Sequence, residues 1–262
     1  MQRLRPVWIV PVLLAAVSAS ASTPGASPPV TADSVIAEHV AARGGHDRLK
    51  ALQSLERRGH LVVPGMGMQL DLAQWQGRGG RFRQEVTLLG LTAIDASDGR
   101  EGWQVSPFEG RKDPSRLSED ETKDLRLRAD FEFPFVDHAA KGHKVTLGTR
   151  EDVDGTPADT LVVQLADGNQ ATYWIDSDTH MVIRALIRET VRGAEDVTEI
   201  DYGEYQQVQG VWIPMTEEIG GKGSDPARRQ KFVFDSATAN PQPGATHYTF
   251  PAQGAAAVGS KP

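Results

Sequence analysis

The sequence predicts a mainly β, α+β protein: a curled antiparallel sheet, opened by helices and interrupted once by an inserted helix that covers it as a lid. Three observations predict this. After Ser54 the apolar period changes from 3.6 residues to 2. Turn-forming glycines and prolines then return at short intervals, the pattern of an antiparallel meander. One capping-box sequence, Ser118-Glu119-Asp120-Glu121, starts a helix in the middle of that meander.

The elements follow in order. Arg3 and Arg5 precede an apolar run over residues 6–17, and small residues follow it. This is the pattern of a secretory signal peptide over residues 1–21, cut near Ala21. The run is too short and too proline-broken to span a bilayer of about 30 Å. Residues 22–30 form a flexible Ser/Pro/Gly/Ala lead-in. Thr31 and Asp33 start a helix carrying Val35, Ile36 and Val40, and Gly44-Gly45 ends it. A second helical piece begins at His46, with Leu49, Leu52 and Leu55 three apart. Strands are expected over residues 55–63, 68–72, 82–88, 91–96 and 102–106. The inserted helix should run from Ser118 to about Ala129, followed by an apolar connector over residues 130–137. The meander resumes over residues 145–150, 160–165, 172–176, 181–191, 197–205, 211–217 and 229–234. The strand at residues 181–191 is apolar on both faces, so both need cover. One domain therefore spans residues 31–235. Residues 236–262 form a low-complexity C-terminal tail on which Tyr248 and Phe250 are able to dock.

Composition narrows the chemistry. The 262 residues are 39% hydrophobic and 24% charged, so the chain can bury a core without staples. A net charge of −7 offers no general basic field for nucleic acid. There is no cysteine, which removes disulfides, thiolate metal sites, cysteine nucleophiles and lipidation at an N-terminal cysteine. The seven histidines lack metal-ligand spacing and read as surface residues; Asp176-Ser177-Asp178 reads as a hairpin turn. No Gly-x-Ser-x-Gly elbow occurs. The acids of residues 119–124 read as a solvated helix face, and Arg78, Arg81 and Arg83 as a solvated strand face. No catalytic residue, metal ligand or cofactor site is assigned, and a non-enzymatic protein is expected.

Apolar side chains at one-sided strand spacing are the remaining candidates. Met68, Leu70 and Leu72, then Phe82, Val86 and Leu88, then Trp103 and Val105 each share a face of their own strand. Ordinary hairpin register would set them side by side as the lining of a concave face. Phe131, Phe133 and Phe135, beside the inserted helix, are the candidate lid residues.

Several local patterns together resemble a known family. They are Gly44-Gly45-His46-Asp47-Arg48-Leu49-Lys50-Ala51-Leu52, Pro64-Gly65-Met66-Gly67-Met68, Asp98-Gly99-Arg100-Glu101-Gly102-Trp103 with Pro107-Phe108, Asp152-Val153-Asp154-Gly155-Thr156-Pro157, Tyr173-Trp174-Ile175-Asp176, and Asp201-Tyr202 through Gly210-Val211-Trp212-Ile213-Pro214. Their order and spacing, over residues 32–234, resemble outer-membrane lipoprotein-sorting proteins of the LolA/LolB-like superfamily. The resemblance implies an incomplete β-barrel curled around a hydrophobic cavity and covered by helices. It implies a periplasmic carrier or sensor of a lipoprotein acyl chain or other amphiphilic, lipid-like ligand, with no covalent chemistry. Two alternatives stay open: a cell-envelope scaffold or regulatory module that binds a protein partner, and a cell-envelope hydrolase.

Overall fold

The computed structural model describes residues 29–251 apart from Met66 and Arg192. The expected signal peptide, most of the lead-in and the last residues of the tail lie outside the described residues. Two helices open the chain, α1 (Ala32–Ala42) and α2 (His46–Ala51). Thr31 and Ser34 cap α1 reciprocally, each hydroxyl accepting from the other's backbone N–H. Gly44 sits between the helices at φ +121°, where a Cβ would lie 2.1 Å from the Gly210 carbonyl oxygen. The glycine pair therefore ends the helix and also admits a close backbone approach.

The first meander comprises β1 (Ser54–Val63), β2 (Met68–Gly77), β3 (Arg81–Leu88), β4 (Leu91–Asp98), β5 (Gly102–Ser106) and β6 (Arg111–Arg116). Helix α3 (Glu119–Arg128) interrupts it, and its Ser118/Glu121 capping box forms as the sequence predicts. The second half contains β7 (Lys144–Leu147), β8 (Glu151–Val153), β9 (Thr156–Gln164), β10 (Gln170–Asp176), β11 (Val182–Val191), β12 (Ala194–Gly203), β13 (Gln206–Val208), β14 (Val211–Ile213), β15 (Thr216–Gly221) and β16 (Gln230–Ala239). All main-sheet pairings are antiparallel, in the order β6-β5-β4-β3-β2-β1-β16-β15-β12-β11-β10-β9-β7. The path does not return to its start, so the barrel is incomplete. The last strand, β16, lies between β1 and β15 and joins the two halves.

Helices cover the inner face. Val35 of α1 packs with Phe133, Phe135, Leu161, Tyr173, Ile175 and Val182 in the largest apolar cluster. Helix α3 lies against β3, β4 and β5 and also reaches β11, so it bridges the two halves. Phe82 packs beneath it with Leu125 and Ala129. At its base the connector is pinned. Buried Arg43 donates to the carbonyls of Trp212 and Phe131 at 2.8 and 3.0 Å. Arg78 forms a bidentate pair with Glu132, which is 2% exposed.

Several sequence expectations are corrected. Edge strand β6, with the sequence Arg-Lys-Asp-Pro-Ser-Arg, carries no apolar alternation to reveal it. The strand expected over residues 211–217 divides at Pro214, so β14 pairs only with β13 while β15 joins the main sheet. The tail boundary at residue 236 falls inside β16. Beyond it, Tyr248 and Phe250 do dock, on the outer face: the Trp103 indole N–H donates to the Tyr248 carbonyl at 2.9 Å, and Phe250 packs near Trp103. Arg78 is not a solvated strand residue but the partner of a buried carboxylate. His39 is not a surface histidine. It is fully buried, its Nδ1 lies 2.8 Å from the His180 carbonyl oxygen, and burial pulls its pKa down to about 3. It is a neutral packing residue against Phe133 and Phe135.

Candidate functional site

Strand alternation and register decide what the inner face presents. Arg57 faces Gln74, Gln74 faces Gln84, Gln84 faces Asp95, and Asp95 faces Gln104. These five residues form one polar row across β1 to β5. On one side lies an apolar row, Gly59, Leu72, Val86 and Ala93. Next beyond it come Leu61 with Leu70 and Leu88 with Leu91. On the other side lie Leu55, Gln76 and Phe82.

The polar row floors a cavity of about 550 Å³ between the sheet and the α3–connector segment. That volume is within the usual range of small-molecule sites. Apolar walls come from Leu125 and Leu127 of α3, Phe131 and Phe133 of the connector, and Ile187, Ile200, Ile219 and Phe232 from the sheet. Polar walls come from the row itself and from Asp120, Glu121, Asp124, Glu189 and Asp196. The cavity is thus two-natured, not uniformly apolar.

Hydrogen bonds order the floor. Arg57, 2% exposed, donates through Nη1 to the Pro214 carbonyl at 2.9 Å and through Nη2 to Gln74 Oε1 at 2.5 Å. It also pairs with Glu217 at 2.6 Å. Gln74 donates to Gln84 Oε1 at 3.2 Å, and Arg128 donates to the same oxygen at 2.7 Å. The Gln84 oxygen is therefore used twice, while no hydrogen bond from its amide nitrogen occurs among the described residues. Arg57 Nε is also buried without a partner there. Desolvation at a low-dielectric wall raises the carboxyl pKa values of Asp95 and Asp124. Glu189 is pushed up to about 7, first by burial and then by the neighbouring charges of Asp124, Asp167 and Asp196.

The expected lining residues divide into two groups. Met68, Leu70, Leu72, Val86 and Leu88 share the inner face and one cluster with Phe232 and Ile219. Those last two residues also line the cavity, so the cluster adjoins it. Phe82 shares that face but packs beneath α3. Trp103 and Val105 lie on the opposite face. Their partners are Ala96 and Ile94, whereas the inner-face partners of β5 are Asp95 with Gln104. The expectation of one common face fails there because β5 enters the sheet with Gln104, not Trp103, in the inner row. Phe131 and Phe133 line the cavity, and Phe135 is fully buried behind them. The acids of α3 stay solvent-accessible, with the Asp120 and Asp124 side chains 39% and 42% exposed, while Asp120, Glu121 and Asp124 also line the cavity. Sequence reading missed the polar row entirely. Its signal was an Arg, Gln or Asp at one inward position of each strand, visible only once the register is known. No group of His, Cys, Asp or Glu able to hold a metal occurs among the described residues, nor does any helix long and apolar enough to cross a membrane.

No family model and no curated protein matches the chain. Solved structures do. A LolA superfamily protein from Nitrosomonas europaea superposes with a TM-score of 0.54 at 14% identity, over 82% of this chain and 96% of the other. A DUF1329 family protein from Desulfovibrio piger gives 0.54 at 11% identity, over 83% and 96%. A domain described as that of an outer membrane lipoprotein-sorting protein from Vibrio parahaemolyticus gives 0.51 at 11%, over 82% and 95%. Shared architecture over nearly the whole of each relative, at such low identity, is a statement about fold: this chain has the LolA-type fold.

Proposed function

We propose that the protein is a carrier or sensor, exported to the cell envelope, that holds a lipoprotein acyl chain or another amphiphilic ligand without covalent chemistry. The observation that carries this reading is the cavity under α3, polar along its floor and joined through Phe232 and Ile219 to an apolar cluster. An amphiphile needs both surfaces: each methylene withdrawn from water is worth about 0.8 kcal/mol, and the polar end must keep hydrogen-bond partners. Likeness in fold to a domain described as lipoprotein-sorting supports the ligand class. The leader-like residues 1–21 support export. Under this reading the connector is a fixed base, held by Arg43 and by Arg78 with Glu132, and α3 is the part that opens.

A fluorescent acyl probe tests it, with Val86→Glu as the perturbation. Val86 is only half-buried on the inner face, so a carboxylate there keeps access to water in the empty protein and loses it against a bound chain. Probe binding should fall at least about tenfold with little change in melting temperature. Unchanged binding in a folded variant removes this surface from the site.

A further inference from the structure

The charge of the cavity wall carries more than an apolar-ligand reading does. Both wall arginines are engaged: Arg57 with Glu217 and Gln74, Arg128 with Gln84 and, at 3.8 Å, Asp124. Three carboxyl groups from three strands, Asp95, Glu189 and Asp196, have no cationic side chain in ion-pair range among the described residues, and Glu189 Oε1 is buried without a hydrogen-bond partner. Asp124 of α3 joins them, and these carboxyls act on one another electrostatically. They are not grouped tightly enough to hold a metal ion. Beside them Gln84, more than nine-tenths buried, lines the cavity with no hydrogen bond from its amide nitrogen among the described residues, and Arg57 has a buried, unbonded Nε–H. The donors call for a carbonyl acceptor in the ligand, and the diffuse carboxyl field calls for a spread positive charge. Arg128 acts on Asp95, Asp124 and Glu189 and offsets this charge only in part, so an anionic head would meet a wall mainly of its own sign.

Resting on the carrier reading above, we infer that the preferred ligand is an acyl amphiphile with an ester or amide carbonyl at the polar row and an ammonium group against Asp95, Asp124, Glu189 and Asp196. Free fatty acids and other anionic amphiphiles are disfavoured. The raised carboxyl pKa values fit this arrangement, since burial first and neighbouring carboxyls second disfavour the charged forms, and a bound cation would favour them.

The test uses the full mature chain, a neutral fluorescent reporter, and four competitors with twelve-carbon chains, all kept below their micelle concentrations. Lauroylcholine carries ester and ammonium, monolauroylglycerol the ester alone, dodecyltrimethylammonium the cation alone, and laurate the anion. Lauroylcholine should displace the reporter at a concentration at least about tenfold lower than laurate, with the other two between. Glu189→Gln and, separately, surface-exposed Asp196→Asn should each narrow that preference about threefold or more while the reporter still binds. Laurate equal to or better than lauroylcholine, or variants that leave the preference unchanged, would overturn the charge inference and leave the carrier reading standing. If the reporter and all four competitors fail to bind, the carrier reading itself falls, and this inference with it.

Discussion

Replacing Glu132 by Gln probes the pin that holds the connector beneath the cavity. Glu132 is 2% exposed and accepts from Arg78 Nη1 at 2.8 Å and Nη2 at 2.5 Å. Gln retains the shape and one acceptor, but removes the charge and points an amide N–H₂ at the guanidinium. Truncating one partner of a buried ion pair costs about 3–5 kcal/mol. Here the cost is smaller, because the Arg78 side chain is 26% exposed and keeps its bonds to the carbonyls of Leu52 and Leu49. About 2–3 kcal/mol follows, or about 5–10 °C in melting temperature for a domain of this size. Circular dichroism melts of wild type, Glu132→Gln, Arg78→Met and the double variant measure it. Arg78→Met should be the worse single change, because it strands a buried carboxylate whose other cation, Lys141, is 4.0 Å away. The double variant should be less destabilised than the sum of the two by at least about 1 kcal/mol. A melting temperature for Glu132→Gln within about 1 °C of wild type, or strict additivity in the cycle, would refute the claim that this pair anchors the connector.

Two further outcomes follow from the same structure. Glu189 binds its proton more tightly folded than unfolded, with a folded pKa of about 7 against an ordinary value of 4.5, so its contribution to stability is complete at low pH and is lost as pH rises through about 7. Glu189→Gln should flatten the fall in melting temperature over that window, and an identical pH profile in the variant would contradict the placement of Glu189 at a poorly solvated wall. At the β1 bulge beside β16, a Cβ on Gly59 would lie 2.0 Å from the Val233 carbonyl oxygen and 2.7 Å from the Phe234 Cα, both backbone atoms. Gly59→Ala should therefore cost about 3 kcal/mol or more in urea unfolding. An unchanged midpoint would mean that β1 and β16 do not approach this closely.

The inner face explains why an α-helix with an acidic side can sit over a sheet. Phe82 and Leu125 make the dry contact, while Asp124 and Arg128 turn toward the cavity, where Gln84 receives Arg128. Leu127 of the same helix packs against the largest cluster, which Val35 of α1 also enters.

Much of the architecture was legible in the chain itself, because local signals are local physics. The switch of period after Ser54, the Gly44-Gly45 break and the Ser118/Glu121 capping box each fix backbone geometry within a few residues, and the structure has them where they were expected. Alternation likewise placed Met68, Leu70 and Leu72 on one face with Val86 and Leu88. Tertiary structure alone decided which apolar sets share a face across strands. Trp103 and Val105 moved to the outer face because side chains alternate every residue, so a one-residue choice of register exchanges Trp103 for Gln104. The same reason hid the polar row: Arg57, Gln74, Gln84, Asp95 and Gln104 are spread over 48 positions of sequence, and only pairing of five strands sets them side by side. Charge told least from sequence, since only the curl of the sheet brings carboxyls as distant in the chain as Asp95 and Glu189 to one cavity wall.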